Sequence, residues 1–200
     1  TYDKKKEFSK SFAFRMKTDS EKKLTRNSGF YERTSKLTRN FIDARGFWLP
    51  NDYTKHGVIN EYNACREKAV LIDLSSLRKF EILGPDAEEL MNYTLTRNVK
   101  KLSVGQIVYS AMCYENGTMF DDGTLLKLSD HGFRWVCGDE YGGEWLKEQA
   151  KKKNYKVHIK NSTDQINNLS LQGPKSRKIL EKIIFSPPTQ PSISELEWFR

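Results

Sequence analysis

Two neighbouring carboxylates, Asp121 and Asp122, stand in an otherwise apolar stretch flanked by Met119, Phe120, Leu125 and Leu126. Side chains alternate along a strand, so adjacent residues go to opposite faces of the sheet, and at most one of the pair enters a core or cleft. A carboxylate held there can accept a proton or orient an amine. The other role open to such a pair, at a strand end followed by Gly123, is to accept backbone N–H groups. Little else in the sequence has this character. Cys65, Cys113 and Cys137 are far apart and odd in number, and no CxxC or Cys/His cluster occurs, which fits reduced, buried thiols. His56, His131 and His158 are isolated, so no metal site is expected.

The elements that must position the carboxylates can be read from periodicity and turn chemistry. Gln106–Tyr114 reads as a strand, Asn116-Gly117 as a type I′ hairpin turn, and 118–128 as the partner strand that carries Asp121 and Asp122. A third strand over 133–137 follows Asp130-His131-Gly132. Asp139 is placed to cap a helix over 140–152, with Trp145, Leu146, Gln149 and Ala150 facing inward. Upstream, Val58, Tyr62, Cys65 and Ala69 have helical spacing over 57–69, followed by short strands over 69–73 and 78–83. Asp86, with Glu89 three residues on, reads as a capping box for the next helix. Later come strands over 155–159 and 168–171 and a helix over 174–184. Residues 29–50 read as an extended segment pinned by Phe30, Tyr31, Phe41, Phe47, Trp48 and Leu49, and broken by Gly46 and Pro50.

One internal echo joins these elements. Phe80 to Leu90 and Leu169 to Ile179 both read as strand, Gly-Pro corner, helix. The implied fold is α+β: an antiparallel-rich sheet of split βαβ (ferredoxin-like) units with packed helices, pseudo-duplicated and truncated. The expected organisation is a basic arm over 1–28, a folded region over 29–185, and over 186–200 the start of a further element cut short.

The 200 residues are 37% hydrophobic and 12% aromatic, enough for a core. No apolar run approaches membrane-spanning length. The opening residues lack the apolar region of a secretory signal, and acidic residues interrupt them too often for an organelle transit peptide. A cytoplasmic protein without membrane association is expected. The net charge of +8 suggests nucleic acid until it is located. Residues 1–40 carry 12 Lys/Arg against 5 Asp/Glu, while 41–200 carry 22 against 21. The excess belongs to the arm, no nucleic-acid-binding motif accompanies it, and no nucleic-acid partner is expected.

Several motifs in order resemble those of the glycine-cleavage T-protein (aminomethyltransferase) family. They are Glu61-Tyr62 through Asp73-Leu-Ser75, Tyr109-Ser-Ala-Met112, the hairpin Glu115-Asn-Gly117 to Asp121-Asp122, Phe133-Arg-Trp-Val136, and Leu171-Gln-Gly-Pro174. Together they span about residues 30–185. The sequence departs from the family's pattern with Gly117-Thr118 where Gly-Gly is usual, and with Gly123-Thr124 where Leu-Ile is usual.

The resemblance implies an enzyme that transfers a methylene or methyl group to tetrahydrofolate from an amine, lipoyl-bound aminomethyl or sulfonium donor. It implies Asp122 as the catalytic residue and Leu77, Tyr109, Asp122 and Val136 as folate contacts. The implied partners are tetrahydrofolate, a small one-carbon donor and, for a lipoyl-bound donor, a lipoyl carrier protein. Alternatives within the resemblance are a folate-dependent sulfonium or methylamine demethylase, which the Asp-Asp-Gly-Thr departure favours, and a non-catalytic folate-binding module. The family's pterin-anchoring glutamate and pocket arginines are expected past residue 200.

Overall fold

A computed structural model of the protein describes residues 26–200, which form two compact units dividing after Lys55. The expected arm lies outside the described residues except for its end. There Arg26–Asn27 form strand β1, which runs parallel to Phe47-Trp48.

In the first unit, a short helix α1 (Tyr31–Thr34) precedes strands β2 (Phe41–Ala44) and β3 (Phe47–Pro50), in sheet order β1-β3-β2. The aromatics expected to pin an extended segment thus build a small sheet, with Phe47 and Leu49 buried. Ala44 pairs with Phe47, and both loop residues between them have positive φ, Arg45 at 53° and Gly46 at 82°. This is the twist of a type I′ hairpin. The Asp43 carboxylate secures it by accepting the Gly46 N–H at 2.9 Å.

The second unit opens with helix α2 (Val58–Glu67) and strands β4 (Val70–Asp73) and β5 (Arg78–Leu83). Helix α3 (Ala87–Thr94) and a single 3₁₀ turn lead to the hairpin β6 (Ile107–Cys113) and β7 (Met119–Ser129). Then come β8 (Gly132–Cys137), helix α4 (Tyr141–Lys153), β9 (His158–Asn161), β10 (Leu169–Gln172) and helix α5 (Ser176–Ile183). Five strands form one antiparallel sheet in the order β6-β7-β8-β5-β9. With β6 set aside, β5-α3-β7 and β8-α4-β9 are two interlocked split βαβ units, the ferredoxin-like arrangement. Phe80, Ile82, Leu90, Met91, Met112, Leu125, Phe133, Trp135 and Leu146 form the core, which α3 and α4 close on one side of this sheet.

The echo is structural as well as sequential. β5 pairs antiparallel with β9, Leu83 opposite His158, and β10 pairs antiparallel with β4, Gln172 opposite Val70. Each strand then turns through a glycine of positive φ, Gly84 at 137° and Gly173 at 119°, into an eight-residue helix. A Cβ on Gly84 would lie 2.4 Å from the Lys156 carbonyl oxygen, and one on Gly173 would lie 2.7 Å from that of Lys68. Both corners need glycine twice over, for φ and for close backbone approach.

Four local expectations are corrected. Asp86 does not cap α3; its carboxylate accepts the Lys156 N–H at 2.6 Å, tying the Gly84 corner to the segment before β9. Glu89 pairs with Lys100 instead of closing a capping box. At the β6–β7 turn only Gly117 has positive φ, at 84°, and the Tyr114 carbonyl accepts its N–H, so this is a longer bulged turn rather than a type I′ pair. Finally, β9 starts at His158, not Tyr155, because Asn154 ends α4 in the left-handed conformation and the Tyr155 N–H still bonds the Ala150 carbonyl.

After Ile183 the described residues hold no helix or strand. The Arg177 guanidinium anchors that segment by donating to the carbonyls of Ile193, Ser194 and Leu196 at 2.6–3.1 Å.

Gly84→Ala is expected to cost more than about 1 kcal/mol, since alanine must adopt a disfavoured φ and displace backbone. Urea unfolding of the two proteins side by side measures this, and equal midpoints and slopes would contradict it.

Candidate functional site

Alternation along β7 separates the two aspartates. Asp121 is buried on the core side, with Leu125 and Lys127 two and three pairs further along the same face. Its Oδ1 accepts the N–H groups of Asp122 (2.9 Å) and Gly138 (3.3 Å), and its Oδ2 accepts that of Asp139 (3.1 Å). Asp122, half-buried, faces the opposite side of the sheet.

On that side the Tyr109 hydroxyl donates to Asp122 Oδ2. The other carboxylate oxygen accepts no hydrogen bond among the described residues. Strand register carries the face across the sheet. Tyr109 lies opposite Thr124, Thr124 opposite Val136, and Val136 opposite Lys79. Directly opposed residues of antiparallel strands share a face, so these four form one row beside Asp122. Leu77 joins the row's far end through its carbonyl, which accepts from Lys79 Nζ at 2.8 Å. Of the residues singled out in the sequence, Tyr109, Asp122 and Val136 therefore share one face, and the Leu77 backbone lies at its far end. Tyr109 is 49% exposed, so the open part of the face is its Tyr109–Asp122 end.

Gly123 explains one departure from the family pattern. A Cβ there would sit 2.1 Å from the Val136 carbonyl oxygen, so β7 and β8 approach too closely for any side chain.

Sequence reasoning missed Lys79. Its side chain is buried, and Nζ donates to the carbonyls of Ser75 and Leu77, both at 2.8 Å. Burial pulls its pKa down from 10.5 to about 8, against the opposing pull of Asp73. The available signal was alternation: Phe80 and Ile82 point to the core, so Lys79 and Glu81 must point to the other face. Glu81 meets Arg134 at 2.7 Å there. The burial of Lys79 was not readable, because the Thr163 hydroxyl that receives its backbone N–H comes from 84 residues away.

Among the described residues no three His, Cys, Asp or Glu side chains converge as a metal site. No helix there is long and apolar enough to cross a membrane.

The profile described as the GCVT N-terminal domain matches residues 30–198. The chain belongs to the glycine-cleavage T-protein family. Within it, the chain is 50% identical over all 200 residues to the trimethylamine-oxide aldolase of Ruegeria pomeroyi, covering 25% of that protein. It is 35% identical over 161 residues to the aminomethyltransferase of Alkaliphilus metalliredigens, covering 79% of this chain and 41% of the relative. The fold matches the crystal structure of the glycine cleavage system aminomethyltransferase T from Bartonella henselae with a TM-score of 0.72 and 24% identity, over 88% of this chain and 46% of that one. The chain thus spans less than half the length of these T-protein relatives, which are enzymes by name.

The Lys79 shift has a pH consequence of definite sign. The folded chain releases this proton near pH 8, the unfolded chain near 10.5. Between these values the unfolded state binds more protons, so the contribution of Lys79 to stability rises with pH. Unfolding free energies of wild type and Lys79→Met across this window are expected to show wild type gaining on the variant as pH increases. A constant or shrinking difference would contradict the burial of the ammonium.

Proposed function

We propose that the protein carrying this chain transfers a one-carbon unit to tetrahydrofolate, with Asp122 as the catalytic residue. The observation that carries the reading is the Tyr109–Asp122 pair on the same face as Val136. The face fits such a cofactor. Tyr109, Val136 and Leu77 offer aromatic and aliphatic contact to a flat ring system, and Asp122 offers a carboxylate to its N–H groups. Tetrahydrofolate supplies the nucleophilic nitrogen that accepts the carbon. Tyr109 holds Oδ2 of Asp122, which leaves Oδ1 to orient that nitrogen and take its proton as the new N–C bond forms.

For the donor, we favour a methylated amine N-oxide over a lipoyl-bound aminomethyl group. The 50% identity to a trimethylamine-oxide aldolase extends over the whole chain, against 35% over 161 residues for the aminomethyltransferase. Trimethylamine N-oxide divides into dimethylamine and formaldehyde without an external oxidant. Condensation of that formaldehyde with tetrahydrofolate gives the methylene form and water, so atoms and electrons balance. The lipoyl carrier protein is a partner only under the second reading. Incubating the complete polypeptide with tetrahydrofolate and either trimethylamine N-oxide or an aminomethyl-lipoyl carrier distinguishes the two. Methylenetetrahydrofolate from the carrier alone would overturn the choice of donor.

In the complete polypeptide, Asp122→Asn is expected to lower turnover about a hundredfold or more, because an amide cannot take the proton. The dissociation constant for tetrahydrofolate should change less than about threefold, since the shape of the face is kept. Steady-state kinetics and calorimetric titration provide both numbers, and unchanged turnover would remove Asp122 from the chemistry.

A further inference from the structure

We propose that Asp121 is a positioning residue that sets the orientation of Asp122; this rests on the catalytic reading of Asp122 given above. The two residues are adjacent but act on opposite faces. Asp121 Oδ1 holds the N–H of Asp122 itself at 2.9 Å, and the same oxygen holds the Gly138 N–H at 3.3 Å. Oδ2 holds the Asp139 N–H at 3.1 Å. One buried carboxylate therefore fixes the backbone that carries Asp122 and, in the same stroke, the end of β8 just past Val136.

The surroundings hold this anchor in place. Gly138 and Asp139 lead into α4, whose N-terminal end favours an anion. Asp139 in turn accepts the Tyr141 N–H at 2.8 Å, so the approach to the helix is itself fixed. The Cys137 thiol lies beside the same carboxylate, and burial, reinforced by the Asp121 charge, pushes its pKa well up so that it stays protonated. Asp122 has no equivalent side-chain support except the Tyr109 hydroxyl on its own face. The Asp122 backbone is thus restrained by Asp121 and its carboxylate by Tyr109.

Asp121→Asn tests this, because an amide has one acceptor oxygen where the carboxylate has two. In either orientation its NH₂ group meets at least one of the three backbone donors. Asp121→Glu retains the charge but displaces it by one methylene, so it separates geometry from electrostatics. Both variants are made in the complete polypeptide, with Asp122→Asn in parallel, and are assayed with tetrahydrofolate and trimethylamine N-oxide, or with the aminomethyl-lipoyl donor if that one supports turnover. The expected result is a kcat about tenfold lower in both Asp121 variants, with the KM for tetrahydrofolate within about twofold of wild type, as for a misplaced catalytic group. A wild-type kcat in both variants, or kcat and KM worsening in proportion to lost folded protein, would overturn the proposal. So would the failure of both variants to fold, which would make Asp121 a stability residue alone. If Asp122→Asn retains full turnover, the reading of Asp122 fails instead, and the two failures are distinguished.

Discussion

Removing a carboxylate from water costs several kcal/mol unless donors replace the water it loses. At the start of β7 that constraint is met by backbone rather than by cations. Three N–H groups converge on Asp121. They come from β7 and from the Gly138-Asp139 link between β8 and α4, so satisfying the carboxylate requires β7, β8 and α4 to meet in one arrangement. That arrangement sends Asp122 to the opposite face, where Tyr109 receives it. The candidate site is in this sense the far side of a structural requirement in the core.

The same economy of backbone appears at Gly84, Gly123 and Gly173. At each, a side chain would intrude on the carbonyl of a neighbouring segment. Gly84 and Gly173 turn equivalent strands into equivalent helices, and Gly123 brings β7 against β8 beside Val136. The Asp-Asp-Gly-Thr sequence is therefore a packing solution as much as a departure from the family pattern. It sets the spacing of the row that runs from Tyr109 through Thr124 and Val136 to Lys79. Glycine-enforced proximity and carboxylate satisfaction together give a face whose polar and apolar groups lie in fixed register.

Much of this was legible in the sequence because its causes are local. The bounds of β5 follow from alternation and the Gly-Pro stop, and the opposite facing of Asp121 and Asp122 follows from strand period alone. Of the two roles weighed for such a pair, backbone acceptance occurs at Asp121, and chemistry is the role proposed for Asp122. What was not legible depends on distant chain. Asp86 has the local form of a cap but bonds Lys156. The type I′ geometry sits at Arg45-Gly46, where neighbouring strands impose it, and not at Asn116-Gly117, where residue preference suggested it. Lys79 looks like a surface lysine until Ser75, Leu77 and Thr163 close around it.

The central claim is that folate chemistry occurs on the sheet face bearing Asp122, opposite the helices. The most direct measurement is a crystal structure of the complete polypeptide with tetrahydrofolate bound. The account predicts a folate nitrogen within about 2.6–3.2 Å of the Asp122 carboxylate, with Tyr109, Val136 and Leu77 against the ring system. Folate bound elsewhere, with the Asp122 carboxylate facing only solvent and Tyr109, would contradict it.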